Sequence, residues 1–393
     1  MEIVNKETGS IPLQIAFFLG AFALGTSENV IAGMLPQLSA SLGISIAQTG
    51  LLITAYAGTA VVAGPLLAIL TSTMRPFGLT AMAVALYTVG SLLAAFAPTF
   101  NILMVARILT GTMHTTILVM FILAAMETAA PDRKARTIGR ITLGLGVATV
   151  LGVPIGTTLA QAFGWRASFL AISMLIAGTL ALILYAFPRL GAPKSIGFGA
   201  LRVLLRPDVS GGIAMSALAA LGALTLLAFI VPMLAEAGVA ADWLALSLFV
   251  YGAACLVGNQ LGAIIADRNL PRSMVVTLAA TCAALFVTTF SIHSAWVAVA
   301  AVSLVGLAYF STFPPLNTWV ATASSDLAPA LALSLNSSAF NLGIAAAGII
   351  GGSALQSGLP VSWLSLLGML PVLFAVIVAF WLCQRRNGEV IIG

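Results

Sequence analysis

Pro188-Arg-Leu-Gly-Ala-Pro-Lys-Ser-Ile-Gly-Phe-Gly-Ala-Leu-Arg-Val-Leu-Leu-Arg-Pro-Asp-Val209 is the longest polar interruption in this chain, with four bases and one acid. On both sides of it the sequence is apolar, broken only by short charged or Pro/Gly-rich runs. A bilayer core takes about 20 apolar residues per helix. On that measure six spans precede the interruption, near 12–36, 49–70, 78–97, 101–129, 138–163 and 167–187. Six follow it, near 210–235, 243–265, 273–292, 296–320, 330–357 and 362–383. The expected fold is an all-α polytopic membrane protein of two six-helix bundles, 1–187 and 210–393, joined by a cytoplasmic linker over 188–209.

Composition excludes a water-soluble body. Of 393 residues 61% are hydrophobic and 7% charged, against roughly a quarter charged in soluble domains. The first apolar stretch is too long for a signal-peptide core and has no small-residue cleavage site after it, so it is read as a span. Cys255, Cys282 and Cys383 fall in apolar stretches without paired spacing and read as small hydrophobes. The net charge of +5 is explained by topology rather than by nucleic acid. With both termini in the cytoplasm, 14 of the 16 bases fall in inside loops, among them Lys6, Arg75, Arg133, Lys134, Lys194 and Arg268. Arg166 alone is outside and Arg107 lies within a span. Such asymmetry follows the positive-inside rule and predicts a multi-pass inner (plasma) membrane protein.

The halves echo each other. Gly64-Pro-Leu-Leu-Ala-Ile-Leu-Thr closes the second span and Gly258-Asn-Gln-Leu-Gly-Ala-Ile-Ile-Ala-Asp-Arg closes the eighth. Internal repeats of this kind are a transporter signature, although glycines four apart also serve ordinary helix packing.

Four stretches together resemble the drug:proton antiporter branch of the major facilitator superfamily, in particular its arabinose-efflux and chloramphenicol-exporter-like members. Gly25-Thr-Ser-Glu28-Asn-Val-Ile-Ala-Gly-Met-Leu-Pro36 is similar to that group's G-T-[ST]-E-F-x-x-x-G-L-L-P. Arg107-Ile-Leu-Thr-Gly111 matches its R-x-x-x-G, with His114 where related efflux proteins often carry His. Gly144-Leu-Gly-Val-Ala-Thr-Val-Leu-Gly152-Val-Pro154-Ile-Gly156 resembles the antiporter motif and is followed by Gly164-Trp165-Arg166. Gly262 to Arg268 resembles the loop motif G-x-x-x-[DA]-D-R. Two departures stand out: Ser72-Thr73 replaces Asp-Arg after the second span, and Asn29 replaces Phe beside Glu28.

Glu28 is the clearest carboxylate at depth. A charge there is costly unless it is paired or faces the bundle interior, and a carboxyl in apolar surroundings can exchange a proton near neutral pH. It is therefore a candidate for proton coupling and substrate contact, with a structural hydrogen bond as the alternative. Arg107 either reaches the interface or partners Glu28. His114, seven residues on, projects from nearly the same face and titrates near physiological pH. Tyr56, Phe313, Asn336 and Asn341 are further substrate candidates, the amides alternatively binding a neighbouring helix. Gly111, Gly152, Pro154 and Gly156 are expected to shape or bend spans, as is the Tyr309–Pro315 stretch in the tenth. Gly262, Asp267 and Arg268 are, as the resemblance implies, candidates for an inside gate. Trp296, Trp363 and Trp381 read as interfacial anchors, and His293 is assigned no role.

The expected function is proton-coupled efflux of small amphipathic drugs such as chloramphenicol-like compounds, one cavity between two bundles opening alternately to each side. Export of sugars or nucleosides is the alternative, though few amides and carboxylates are available for it. A membrane enzyme or receptor would need a catalytic constellation or a soluble domain that the sequence lacks. No metal or other cofactor is expected. The partners expected are lipid, protons and a small-molecule substrate, not nucleic acid, with a monomer as the functional form.

Overall fold

The computed structural model describes residues 11–44, 46–191, 197–291 and 294–392; Lys6, Lys194 and His293 lie outside them. Twelve helices there are long and apolar enough to cross a membrane. Spans 1 to 6 are Ile11–Asn29, Gln48–Leu70, Pro76–Ala95, Phe100–Thr128, Lys134–Phe163 and Trp165–Ala186. Spans 7 to 12 are Pro207–Leu227, Asp242–Arg268, Leu270–Thr289, Ala295–Ala323, Pro329–Gln356 and Trp363–Arg385. No strand occurs among the described residues. In lipid every backbone polar group must find a partner within the protein, which leaves the helix as the only open-chain solution. Large apolar side chains left exposed, such as Val62, Val89, Met174, Ile349 and Phe374, face what a membrane protein offers to lipid rather than to water.

Local chemistry sets the helix ends. Pro76, Pro207 and Pro329 open spans 3, 7 and 11, where the missing N–H costs nothing. Thr99 Oγ1 accepts from Ile102 N at 3.4 Å and Asn269 Oδ1 from Arg272 N at 3.0 Å, capping spans 4 and 9. Gly164, at φ +83°, makes the single-residue turn between spans 5 and 6 that a side chain would strain.

Several spans are broken. The sequence reading carried span 1 to residue 36, but its α-helix stops at Asn29; a 3-10 turn over Val30–Gly33 and a short helix, Leu35–Leu42, follow. Span 7 likewise stops at Leu227 and resumes as Ile230–Glu236. Span 5 widens into a π-turn over Ala148–Gly152 before Pro154, as expected where proline removes a ladder donor. Span 10 breaks at Ser311–Thr312 ahead of Pro314 and Pro315. There the two hydroxyls bond back to Ala308 O and Tyr309 O at 2.6 and 2.7 Å.

The chain forms two compact units, Met1–Ala200 and Leu201–Gly393. Within the first, the most extensive pairings are 1 with 5, 1 with 6, 2 with 4, 3 with 4 and 3 with 6. Within the second they are 7 with 11, 7 with 12, 8 with 10, 9 with 10 and 9 with 12. Adding six to each number of the first set gives the second, so the weak sequence echo corresponds to one helix arrangement used twice. Glycine sets the closest approaches. Gly64 packs on Thr115 across spans 2 and 4, and Gly258 and Gly262 pack on the backbone of Leu307 and Ser311 across spans 8 and 10.

Candidate functional site

The first unit contains a buried polar chain built from four spans. Span 4 carries Arg107, 1% exposed and the one permanently charged side chain buried among the described residues. Its Nη1 donates to Ser27 O at 2.8 Å and to Ser27 Oγ at 3.3 Å, and its Nε donates to Leu52 O at 3.4 Å. The guanidinium lies 4.0 Å from the Tyr56 ring centroid, a cation–π geometry that offsets part of its desolvation. Nη2 is buried without a hydrogen-bond partner among the described residues. Such a stack, with carbonyl acceptors, lets a guanidinium sit in apolar surroundings.

His114, two turns along the same helix, bonds through Nδ1 to Tyr56 Oη at 2.6 Å, and Tyr56 Oη meets Tyr87 Oη at 2.8 Å. The seven-residue spacing thus brings Arg107 and His114 onto one tyrosine. Gly111 between them makes this possible: a Cβ there would run into Tyr56 O and Thr59 Oγ1.

Glu28 stands beside this chain, half-buried at the last turn of span 1. It forms no ion pair among the described residues and lies near Arg107, Tyr56, Tyr87 and His114. The flanking residues Thr26 and Val30 pack on Gly152 and Gly156 of span 5. The carboxyl therefore sits where a helix break, a π-turn and a buried cation come close together. Asn29, the departure beside it, bonds its amide back to Gly25 O at 2.9 Å.

In the second unit Phe313 begins the continuation of span 10. It stacks with Tyr309, Phe310 and Phe340 at centroid distances of 5.2, 5.1 and 5.2 Å. Asn336, 4% exposed, donates to Asn317 Oδ1 at 3.4 Å, and its own Oδ1 is buried without a partner among the described residues. Asn341 bonds within its helix to Ser337 O at 2.9 Å. Asp267 and Arg268 end span 8, the acid half-buried and the base exposed.

Sequence reasoning missed Ser27, Tyr87, Asn317 and the pair Arg206–Asp326. A tyrosine in the middle of the apolar third span was the available signal for Tyr87. Arg206 forks onto both Asp326 oxygens at 2.6 and 2.7 Å, and nearby Trp319 Nε1 donates to Asp208 O at 2.8 Å. Together these contacts tie the start of span 7 to the end of span 10. The fork's hydrogen bonds hold the exposed Asp326 carboxyl below its ordinary value and raise Arg206. A depressed carboxyl contributes stability above its unfolded value that fades as pH falls through the folded one. The tie is therefore expected to be indifferent to pH between 5 and 8 and to weaken only below about pH 4. In amide hydrogen exchange at the start of span 7, wild type should lose protection in acid or high salt, while Asp326→Asn should be weaker throughout and flat with pH. Equal pH dependence of the two proteins would contradict this account.

Among the described residues no cluster of His, Cys, Asp or Glu could hold a metal. The donor set, one permanent cation, one imidazole, one carboxyl and hydroxyls, is suited to moving and sensing protons rather than to bond-making chemistry.

Comparison with known proteins agrees with the helix arrangement. The family model for the Major Facilitator Superfamily matches residues 17–328. "Inner membrane transport protein YdhP" of Escherichia coli (strain K12) is 30% identical over 381 residues, 96% of this chain and 98% of that protein. A "Probable sugar efflux transporter" of Pasteurella multocida (strain Pm70) is 26% identical, covering 95% and 93%. Among solved structures, the proton:xylose symporter XylE superposes with a TM-score of 0.76 at 13% identity, covering 94% of each chain. The Escherichia coli fucose:proton symporter FucP (N162A) gives 0.75 at 15%, covering 94% and 97%; both likenesses are of fold. With a family match across most of its length and twelve apolar helices in two repeated units, this chain is a multi-pass membrane transport protein, not an enzyme, and belongs to the Major Facilitator Superfamily.

Proposed function

We propose that the protein exports small amphipathic molecules in exchange for protons, by alternating access. The observation that supports this best is Glu28, a carboxyl at the break of span 1, near buried Arg107, which bonds Ser27 and stacks on Tyr56, itself bonded to Tyr87 and His114. Proton binding there favours one state and cargo binding the other, each by its differential affinity. In this reading Glu28, Arg107 and His114 couple protons. Glu28, Tyr56 and His114 are the first unit's candidates for cargo contact, and Phe313, Asn336 and Asn341 are the second unit's own. The apolar setting with few polar anchors suits an uncharged or weakly cationic compound. Gly111, Gly152, Pro154, Gly156 and Gly262 let the helices bend and slide, and Asp267 and Arg268 close the inside.

A second reading, sugar or nucleoside export, draws on the relative named "Probable sugar efflux transporter" and on the facing amides of Asn317 and Asn336. Purified protein in liposomes, given chloramphenicol-like compounds and sugars with and without an imposed pH gradient, separates these readings. Gradient-independent movement of every compound would refute proton coupling.

The working orientation is a monomer in the inner membrane with both termini and the linker in the cytoplasm. Reporter fusions near residues 40, 100 and 165 should then read outside, and those near 75, 133 and 200 inside. An external signal from any of the last three sites would sink this orientation.

A further inference from the structure

A cleft of about 550 Å³ opens in the first unit between the short helix Leu35–Leu42 and the turn that joins spans 5 and 6. Its volume is that of a small-molecule site. Gln37 and Ser41 come from the short helix, Gln161 and Phe163 from the end of span 5, and Trp165 and Arg166 from the start of span 6. Arg166 is held in place: its Nη2 donates to Ala97 O at 2.8 Å, and the guanidinium lies 4.2 Å from the Trp165 ring centroid. Trp165 Nε1 donates to Ser41 Oγ at 3.0 Å, which leaves the serine proton to donate elsewhere. Gln37 Oε1 is buried without a hydrogen-bond partner among the described residues. Arg166 forms no ion pair among the described residues. Of the unit's described acids, Glu127 and Asp132 lie at the far end of span 4. That 29-residue helix begins beside Ala97 and is roughly 40 Å long. Glu28, the third, forms no ion pair either. The guanidinium is thus fixed, and no carboxylate of the described residues neutralises it.

We propose that this cleft binds the head of an anionic phospholipid, a phosphodiester carrying a neutral polyol, as in the phosphatidylglycerol class. Arg166 takes the phosphate. A guanidinium fork matches phosphate oxygens, and one already held against a ring and a carbonyl loses little freedom on binding. The start of span 6, which has no side-chain cap, adds a favourable field to the same wall. The polyol meets Gln37, Ser41 and Gln161, because a hydroxyl both donates and accepts and so suits an amide in either sense. A zwitterionic head would bring an ammonium against a wall that holds no carboxylate. One fixed cation and no acid call for a single net negative charge. The rim favours a lipid over a soluble phosphodiester. Phe163, 76% exposed, lines the cleft, and Phe96, 71% exposed, precedes the residue that holds Arg166. Exposed apolar surface beside a fixed charge suits the boundary between headgroups and acyl chains. Span 6 runs from the cleft toward the linker, so in the working orientation the site belongs to the outer leaflet. It shares no residue with the Glu28–His114 set, and the proposed function neither requires it nor fails with it.

Native mass spectrometry of the full-length protein in detergent, titrated with dioleoyl-phosphatidylglycerol, counts the bound lipids and gives their affinities. Wild type should hold one copy about tenfold more tightly than dioleoyl-phosphatidylethanolamine or dioleoyl-phosphatidylcholine, the equilibrium weight of one charge-assisted hydrogen bond. Arg166→Gln should erase that preference. Arg75→Gln, which removes an exposed base between spans 2 and 3, should leave it intact. Gln161→Glu places a carboxylate on the wall at an exposed helical position and should weaken phosphatidylglycerol binding about tenfold by repulsion. That variant keeps every contact of Arg166 and carries the test should Arg166→Gln not fold. Equal binding of the three lipids overturns the proposal, as does a preference that survives Gln161→Glu. Glycerophosphoglycerol, the same head without acyl chains, separates the two sources. Displacement of the lipid by an equal concentration of this soluble compound would overturn the assignment to a lipid.

Discussion

Glu28→Gln is expected to abolish uphill transport while leaving a folded protein. If one proton is exchanged per cargo molecule, one pH unit across the membrane supports about tenfold accumulation. Without a titrating group the accumulation ratio should fall to about 1 at any gradient, because a ligand that cannot distinguish two states shifts neither. Downhill exchange of a neutral compound should survive. Folding should survive too, since Glu28 is half-buried and forms no ion pair among the described residues that the amide would leave broken. The measurement is accumulation in liposomes at several imposed gradients, with size-exclusion profiles and thermal unfolding as the folding control. Unchanged accumulation in Glu28→Gln would place the coupling group elsewhere, with His114 next, or remove proton coupling altogether.

The largest structural effect is expected at Gly258 and Gly262. A Cβ at either position would overlap the backbone carbonyl of Leu307 or Ser311 across the span 8–span 10 seam. A carbonyl cannot rotate away as a flexible side chain can, so the two helices must separate over several turns. Overpacking of a tight interface costs about 1–3 kcal/mol when neighbours can adjust, and here the obstacle is main chain. Gly258→Ala and Gly262→Ala should lower the unfolding temperature by several degrees and reduce the yield of monodisperse protein. Gly348→Ala is the control: nothing lies within 4 Å of its added carbon, and alanine is the better helix former. It should be neutral or stabilising, and a loss there equal to that at Gly262 would remove the steric explanation.

The spans could be read from sequence because bilayer thickness demands about 20 apolar residues and punishes charge in between. The break in span 10 could be read because Pro314 and Pro315 leave no other choice. The break after Asn29 was missed: Val30, Ile31 and Ala32 are as apolar as the helix before them, and hydropathy does not distinguish a helix from a 3-10 turn. Arg107 and His114 could be placed on one face from their spacing. That Tyr56 would receive both of them could not, since it depends on how span 2 is rotated against span 4. Gly111 sets that approach through a contact 55 residues away in sequence, at Tyr56. Asp326 and Arg206 lay 120 residues apart, and nothing in either local sequence marked the other as a partner.

The repeated pairing also bears on synthesis. In each half the earliest helix finds its two principal neighbours in the last two to be made: span 1 with 5 and 6, span 7 with 11 and 12. The ribosome therefore delivers span 1, with Glu28 near its end, well before the glycines of span 5 that will cover Thr26 and Val30. Neither half can close until its sixth helix has entered the bilayer, and the contacts that close it are long-range ones of the kind that form slowly. A nascent chain stalled in the linker would carry one half with every major pairing satisfied, whereas one stalled after span 4 would still hold span 1 without either partner. Surveillance of unassembled membrane helices would act on the second state and spare the first.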